Sequence, residues 1–464
     1  MPGDTTACQF SREHGITGTS SVEALRRRVP VRRYDGMTEY IDRIRAGEQG
    51  VLTVEPVLRL TPSSGSTAAC KLIPYTASLL REFGRAIGPW IVDLFGRHPE
   101  LMDGPAYWSV SPACPPPAVQ SAVPVGFDDD GEYLGGLLRW LVDTTLAVPA
   151  SVRHIREHDA WLDATLDSLV RARELRLISV WHPSFLTLLL DALRERRGVC
   201  DWRAVWPKLS VVSCWTDGHA AGAARLLGER LPGVTIEPKG LMATEAFVTF
   251  PFGGQRPVAI CSHYYEFIDD SGQPHLVDEL EQEHEYTVVI TTGGGLWRYA
   301  LGDRVRVDGM VDRTPSLRFV GRADHVSDRR GEKLSEGFVT QVTGQLCAAA
   351  GIQPVFMLLA PQTDHGGSPY YVLFVQVHEG SADGLASQLD AALCANPHYA
   401  YCRRLGQLGP AQVCPLPRAI DAHGIYLRAM QQRGQRLGDI KPSILSDQAD
   451  WKARFMESAA AEAG

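Results

Sequence analysis

A chain of 464 residues is longer than one compact core supports, which predicts one large domain and a smaller one. Its 44% apolar and 22% charged residues are those of an ordinary globular protein. A formal net charge of -8 supplies neither a basic footprint for nucleic acid nor a polybasic patch for an anionic membrane.

The opening "MPGDTTACQFSREHG" lacks the basic and apolar regions of a signal peptide. The ten cysteines are scattered without a C-x-x-C pair, so a cytoplasmic chain with reduced thiols is expected. "TEYIDRIRAGE" (38–48) predicts a helix closed by Gly47, and "VLTVEPVLRL" (51–60) a strand. "SSGSTAACKLIP" (63–74) follows, a loop of small hydroxylated residues around a glycine with a lysine behind it. Such a loop suits phosphate oxygens, yet it is not a Walker A sequence, because one glycine precedes Lys71 and Leu72 follows it. "TASLLREFGRAIGPWIVDLFGRHP" (76–99) has helical spacing with Thr76 as its cap. The loop is thereby expected between a strand and a helix, where helix N-terminal amides add to anion binding.

"SPACPPPAVQSAVP" (111–124) reads as a proline-rich mobile loop, and 151–195 as largely helical. Within the latter, "FLTLLLDAL" (185–193) is roughly half of the ~18 residues a spanning helix needs. Thr187 and Asp191 interrupt it at helical spacing, which predicts a buried amphipathic helix and no membrane span. From 209 to 252, β-type runs ("LSVVSCW", "VTIEPKGLMA", "FVTFPF") bracket the helical "AAGAARLLGERL". Strands dominate 257–320. Beyond Arg322 the pattern alternates: helix "GFVTQVTGQLCAAA", strands "PVFMLLAP" and "YYVLFVQVH", helix "ADGLASQLDAALCA". The domains expected are therefore 1–322 and 323–464.

Five short motifs occur along this framework, and each alone reads more readily as a turn, a loop or a charged surface. They are the Ser/Thr/Gly loop with Lys71, the pair Thr244-Glu245 in "GLMATEAF", and Gly302-Asp303 in "GGGLWRYALGDRVRV". The others are Arg322 and Asp324 in "FVGRADHVSDRRGEKLSE", and Lys441 in "LGDIKPSIL". A threonine hydroxyl can meet a phosphate oxygen, and a glutamate can hold Mg2+, a hard cation that prefers oxygen. An aspartate at a turn can accept from two ribose hydroxyls, or simply cap its own backbone. Only six of the 46 basic residues are lysine, and Lys71 and Lys441 are two of those six.

The order of the five resembles the adenylate-forming superfamily of acyl-CoA synthetases and adenylation domains. "TPSSGSTAACKLIPYT", "WPKLSVVSCWTDG", "HLVDELEQEHEYTVVITTGGGLWRYALGDRV" and "FVGRADHV" are more narrowly similar to the Gretchen Hagen three family of acyl-acid amido synthetases. That resemblance runs from about Tyr34 to about Pro442 and is most specific over 278–324.

The resemblance implies an α/β fold. A large adenylate-forming domain of sheets flanked by helices, with a β-barrel-like part, would carry a smaller mobile α+β C-terminal domain. It implies that Ser63, Ser64, Gly65, Ser66, Thr67 and Lys71 hold the phosphates of ATP. Thr244 would contact the α-phosphate and Glu245 Mg2+. Leu241 and Met242 would lie against adenine, Asp303 would take the ribose and Arg322 would follow the hinge glycine. Asp324 would be the pivot of domain rotation, and Lys441 would bridge carboxylate and α-phosphate. Leu241 stands where plant members carry tyrosine, Ala300 where they carry arginine, and Ala68 and Ala69 where glycine is common. Trp181, Phe185, Trp215 and Phe247 flank the motifs and are read either as acyl pocket for a flat acid or as core. The implied reaction joins a small carboxylic acid to an amine through an acyl-adenylate, in a monomer that needs no nucleic acid or membrane. An acyl-CoA ligase, a carrier-protein-loading enzyme and an inactive nucleotide-binding homologue are the alternatives.

Overall fold

A computed structural model describes residues 7–63, 71–108, 120–126, 145–155, 157–218, 220–322, 326–363, 369–377, 382–433, 435, 440 and 442–462. Ser64, Gly65, Ser66, Thr67, Asp324 and Lys441 lie outside these, as do Ala68, Ala69 and most of the proline-rich stretch. The chain forms two compact units. One comprises Met1–Trp181, Leu189–Trp215 and Gly233–Phe319; the other comprises His182–Leu188, Thr216–Pro232 and Val320–Gly464.

In the first unit, β1 (Arg59–Ser63) and β2 (Lys71–Tyr75) form an antiparallel pair. The strand expected over 51–60 is thus displaced, and Val51 and Leu52 are buried without being in it. β2 also stands between residue 70 and the helix Ala77–Arg97, so the hydroxylated stretch does not lead directly into that helix. The helix itself forms as its spacing predicts. Thr76 Oγ1 accepts from the Leu79 N–H at 3.1 Å, and Leu79, Phe83, Ala86, Ile87, Trp90 and Leu94 are buried at helical intervals.

Four short parallel strands follow: β3 (Ala106–Trp108), β4 (Leu177–Ser179), β5 (Val211–Cys214) and β6 (Thr235–Pro238), hydrogen-bonded in that order. β4 and β5, apolar but for Ser179 and Ser213, are buried along their length as parallel strands are. The larger sheet is built from β7 (Tyr264–Ile268), β8 (Pro274–His275), β9 (Glu285–Thr291), β10 (Tyr299–Val311) and β11 (Thr314–Arg322), in the order β11-β10-β9-β7-β8. "FVTFPF" does not form a regular strand; it makes isolated bridges, Thr249 with Val258 and Phe252 with Gln255.

The second unit has its own core around Leu334, Val339, Leu359, Leu373, Leu389, Tyr399 and Leu445. It contains the two-stranded β12 (Val326–Ser327) and β13 (Leu334–Ser335), then helix Glu336–Ala350. β14 (Pro354–Thr363) and β15 (Pro369–Val377) are antiparallel, and β16 (Gln412–Pro415) joins β15 in parallel. The helix expected over 382–395 is broken into Asp383–Ala386 and Leu389–Leu393. The helix Ala220–Arg230 packs on β14. The apolar run 185–193 lies in helix Pro183–Arg197, with Phe185, Leu186, Leu189 and Leu193 buried and Thr187 and Asp191 partly exposed. No helix among the described residues is long and apolar enough to cross a membrane.

Candidate active site

The site grows from the β1–β2 pair. Ser63 and Lys71 are register partners at one end of it, and residues 64–70 between them lie outside the described residues. At the other end of β2 the buried Tyr75 hydroxyl donates to the Thr244 carbonyl at 2.5 Å. One strand therefore carries the lysine of the first motif and touches the backbone of the second.

Thr244 and Glu245 form the tip of a tight hairpin. The Ala243 N–H donates to the Ala246 carbonyl at 2.9 Å, and Val248 N–H to the Leu241 carbonyl at 2.9 Å. The Thr249 hydroxyl accepts from the Leu241 N–H at 2.8 Å. At the neck the backbones approach so closely that a Cβ on Gly240 would lie 1.8 Å from the Thr249 carbonyl oxygen. Glu245 is 7% exposed, and Leu241, Met242 and Thr244 are partly exposed. Leu241 and Met242 pack on the main core by one side, which leaves an aliphatic surface where a tyrosine would offer a ring.

A buried polar network that the motifs did not reveal fixes this hairpin. The His263 Nε2 accepts from the Phe247 N–H at 3.1 Å, and its Nδ1 lies 2.9 Å from Glu82 Oε2. The same carboxylate accepts from the Gly293 N–H at 3.0 and 2.9 Å, while the Thr76 hydroxyl donates to the Gly293 carbonyl at 3.0 Å. Tyr265 donates to the Phe247 carbonyl at 2.6 Å. The helix Ala77–Arg97, the Thr-Glu hairpin and the turn that begins the third motif are thus joined through one glutamate. An acid in an apolar helix face, with a histidine far off in sequence, was the available signal.

Asp303 sits on a bulge of β10. Ala300 pairs with Val289 and Arg304 with Thr287, so Leu301, Gly302 and Asp303 face Val288 alone. Gly302 takes φ +82°, a left-handed conformation natural to glycine, and the distortion re-aims Asp303, which is 6% exposed. The neighbouring Arg298 is structural: its guanidinium holds Glu266 at 2.7 and 3.1 Å and the Val29 carbonyl at 2.7 Å. Arg322 ends β11.

Among the aromatic candidates, Trp181 and Trp215 meet with ring centroids 5.6 Å apart. Phe247 packs against Phe83 and Trp90 in the core. Phe185 is buried and belongs to the second unit, so it is not placed with the other three. Trp181 also covers Lys239, whose Nζ is 5.1 Å from its ring centroid, 5.1 Å from Trp90 and 5.8 Å from Trp108. Burial lowers the pKa of this lysine to about 8. Nothing in the sequence motifs singled out Lys239; the rarity of lysine, with this one directly before the "GLMATEAF" motif, was the one signal available for it.

Models of the GH3 family match in chain order: the N-terminal domain over residues 4–202, the central domain over 257–322 and the C-terminal domain over 338–450. The chain belongs to the GH3 family. A relative in Oryza sativa subsp. japonica, the probable indole-3-acetic acid-amido synthetase GH3.12, is 25% identical to this GH3 protein across 94% of the chain and 88% of its own length. The AtGH3.15 acyl acid amido synthetase in complex with 2,4-DB shares its fold, with a TM-score of 0.79 at 17% identity over 95% of this chain and 89% of that one. A 2-hydroxyisobutyryl-CoA ligase in the postadenylation state shares it more loosely, at TM-score 0.54 and 15% identity over 98% of this chain and 88% of that one. The expected family and mixed α/β adenylate-forming fold are therefore those of this GH3 chain.

Proposed function

We propose that this GH3 protein is an ATP-dependent acyl-acid amido synthetase. A carboxylate oxygen attacks the α-phosphorus of ATP, the bond to pyrophosphate breaks, and an acyl-adenylate forms. An amine nitrogen, that of an amino acid, then attacks the acyl carbon; AMP leaves and the nitrogen loses a proton. The observation that carries this reading is the Tyr75–Thr244 hydrogen bond, which ties the strand bearing Lys71 to the Thr-Glu hairpin in a chain of this family.

In this reading Ser63, Lys71 and the loop residues Ser64, Gly65, Ser66 and Thr67 hold the β- and γ-phosphates. Thr244 meets the α-phosphate, Asp303 accepts from the ribose hydroxyls, and Leu241 and Met242 lie under adenine. Arg322 borders the nucleotide. The donor chemistry fits Mg2+: the buried carboxylate of Glu245 at the hairpin tip would hold the ion alongside phosphate oxygens. Bound there, Mg2+ supplies neutralisation of triphosphate charge. Lys441 brings an ammonium between the attacking carboxylate and the α-phosphate, where two anions must approach. The 323–464 domain turns about Asp324 between the half-reactions and shields the anhydride from water. Purified protein, ATP and a panel of acids test the reading: pyrophosphate release that depends on acid, with amide appearing only when amino acid is added, is the expected result. Thioester formed with coenzyme A and no amide with amines would overturn it.

A further inference from the structure

Beside the Thr-Glu hairpin an ammonium is buried that no acid among the described residues meets. Lys239 directly follows β6 and is 5% exposed. Among the described residues, the Ser179 hydroxyl, 2.7 Å from Nζ, is its one hydrogen-bond partner, and no carboxylate forms an ion pair with it. Its surroundings are the faces of Trp90, Trp108 and Trp181. Two further buried polar atoms nearby lack a partner among the described residues. One is Nε1 of Trp90; the other is Oγ of Ser213, the register partner of Ser179 on the adjacent strand.

Location makes this more than a packing detail. Trp108 ends β3, Ser179 ends β4 and Lys239 follows β6, so all three lie at the carboxyl edge of one parallel sheet, where open α/β sheets bind ligands. Desolvation disfavours the charged form, and aromatic faces offset that only in part. Methionine would fill the same space without the penalty. An ammonium kept there is explained by an acceptor that arrives from outside the chain. The neighbours dictate its shape: indole faces select a flat, aromatic body, and an ammonium with one neutral partner selects an oxygen.

We propose that Lys239 is a specificity-determining residue of the acyl pocket, taking an acceptor oxygen that an aromatic acyl acid carries at the end remote from its reacting carboxylate. This rests on the amido-synthetase reading above. Lys239 and Thr244 are five positions apart, at most about 18 Å when extended, a reach that one aromatic acid and the α-phosphate fit within. The substrate class is therefore a ring acid with a hydroxyl or second carboxylate opposite the first. Trp181 belongs to the cage around Lys239, and Trp215 packs on Trp181 with ring centroids 5.6 Å apart.

The test uses three para-substituted probes: terephthalate, 4-hydroxybenzoate and 4-methylbenzoate, the last matched in shape but without an acceptor. Binding is read without nucleotide from tryptophan fluorescence, and turnover from acid-dependent pyrophosphate release. Wild-type protein is expected to prefer the better oxygen-bearing probe over 4-methylbenzoate by about 10–100-fold in both readouts. In Lys239→Met that preference should fall to near unity, with the loss for the oxygen-bearing acid in KM more than in kcat, in protein whose circular dichroism is unchanged. A preference that survives in Lys239→Met, or wild-type protein that binds 4-methylbenzoate as tightly as the others, overturns the proposal. Selective binding without turnover would sustain Lys239 and defeat the synthetase reading; turnover with no such preference would do the reverse.

Discussion

His263 and Glu82 meet with 2.9 Å between Nδ1 and Oε2, both side chains buried, and the hydrogen bonds fix the imidazole tautomer. Because Nε2 accepts from the Phe247 N–H, Nδ1 must carry the proton and donate to the carboxylate. Glu82→Ala would leave that donor and the Gly293 N–H buried without partners. At about 1–3 kcal/mol for each orphaned group, a loss of roughly 2–6 kcal/mol is expected. Denaturant unfolding measures it, and a midpoint equal to wild type would show the network to be dispensable.

Asp303→Ala should weaken ATP binding by about 1.5–3 kcal/mol, the range for hydrogen bonds to a charged group, and leave the fold intact. The bulge that presents Asp303 depends on Gly302, not on the carboxylate. Calorimetric titration with ATP and Mg2+ decides: unchanged affinity would reduce Asp303 to a turn residue.

Gly240→Ala forces the neck of the Thr-Glu hairpin apart, since its Cβ would fall 1.8 Å from the Thr249 carbonyl oxygen. Displacing the tip by about 1 Å is expected to slow adenylation on the order of 10²-fold. Pyrophosphate release at saturating ATP reports this, with the thermal midpoint as control. Near-normal turnover would mean that the hairpin does not position the reacting groups.

Lys441→Ala should slow acid-dependent pyrophosphate release by about 10²–10³-fold, the scale of one preorganised electrostatic contact. Given presynthesised acyl-adenylate and amine, the same variant should form amide at close to the normal rate. Equal losses in single-turnover measurements of both half-reactions would assign Lys441 to nucleotide holding or to folding instead.

Lys239→Met is expected to stabilise the protein in the absence of acid. Burial brings the pKa from 10.5 to about 8, so below pH 8 the folded chain carries the charge at a cost on the order of 3 kcal/mol. Between pH 8 and 10.5 the folded lysine is neutral while the unfolded chain still binds the proton, so wild-type stability recovers as pH rises. Allowing for lost ring contacts, a gain of about 1–3 kcal/mol at pH 7 should shrink toward pH 10. Denaturant midpoints across that range check the slope; a variant less stable than wild type at pH 7 would show that the cage needs its cation.

Local signals account for the parts of this molecule that were readable from sequence. Thr76 and the apolar spacing behind it specify their helix, and the pattern change beyond Arg322 marks the β/α segment that follows. β2 was hidden because Pro74 and the polar loop before it mask a five-residue strand whose stability comes from pairing with β1. The lysine cage was hidden for a different reason. Trp90, Trp108, Trp181 and Lys239 come from one helix and three strand ends, and only the parallel order of β3, β4, β5 and β6 gathers them. Glu82 and His263 are likewise 181 residues apart, with nothing local to link them.

The helix Ala77–Arg97 bears both Glu82 and Trp90, eight residues or about 12 Å apart along its axis. One end of that span anchors the Thr-Glu hairpin through His263; the other forms a wall of the Lys239 cage. In the proposed acyl pocket this helix would therefore set the distance between the reacting end of an acid and its far end. A relative that accepts longer or shorter acids cannot shift this helix without also moving the hairpin. Evolution and engineering of acid length would be steered instead to the strand ends, Trp108 and Trp181, where a wall can be trimmed while the helix stays fixed.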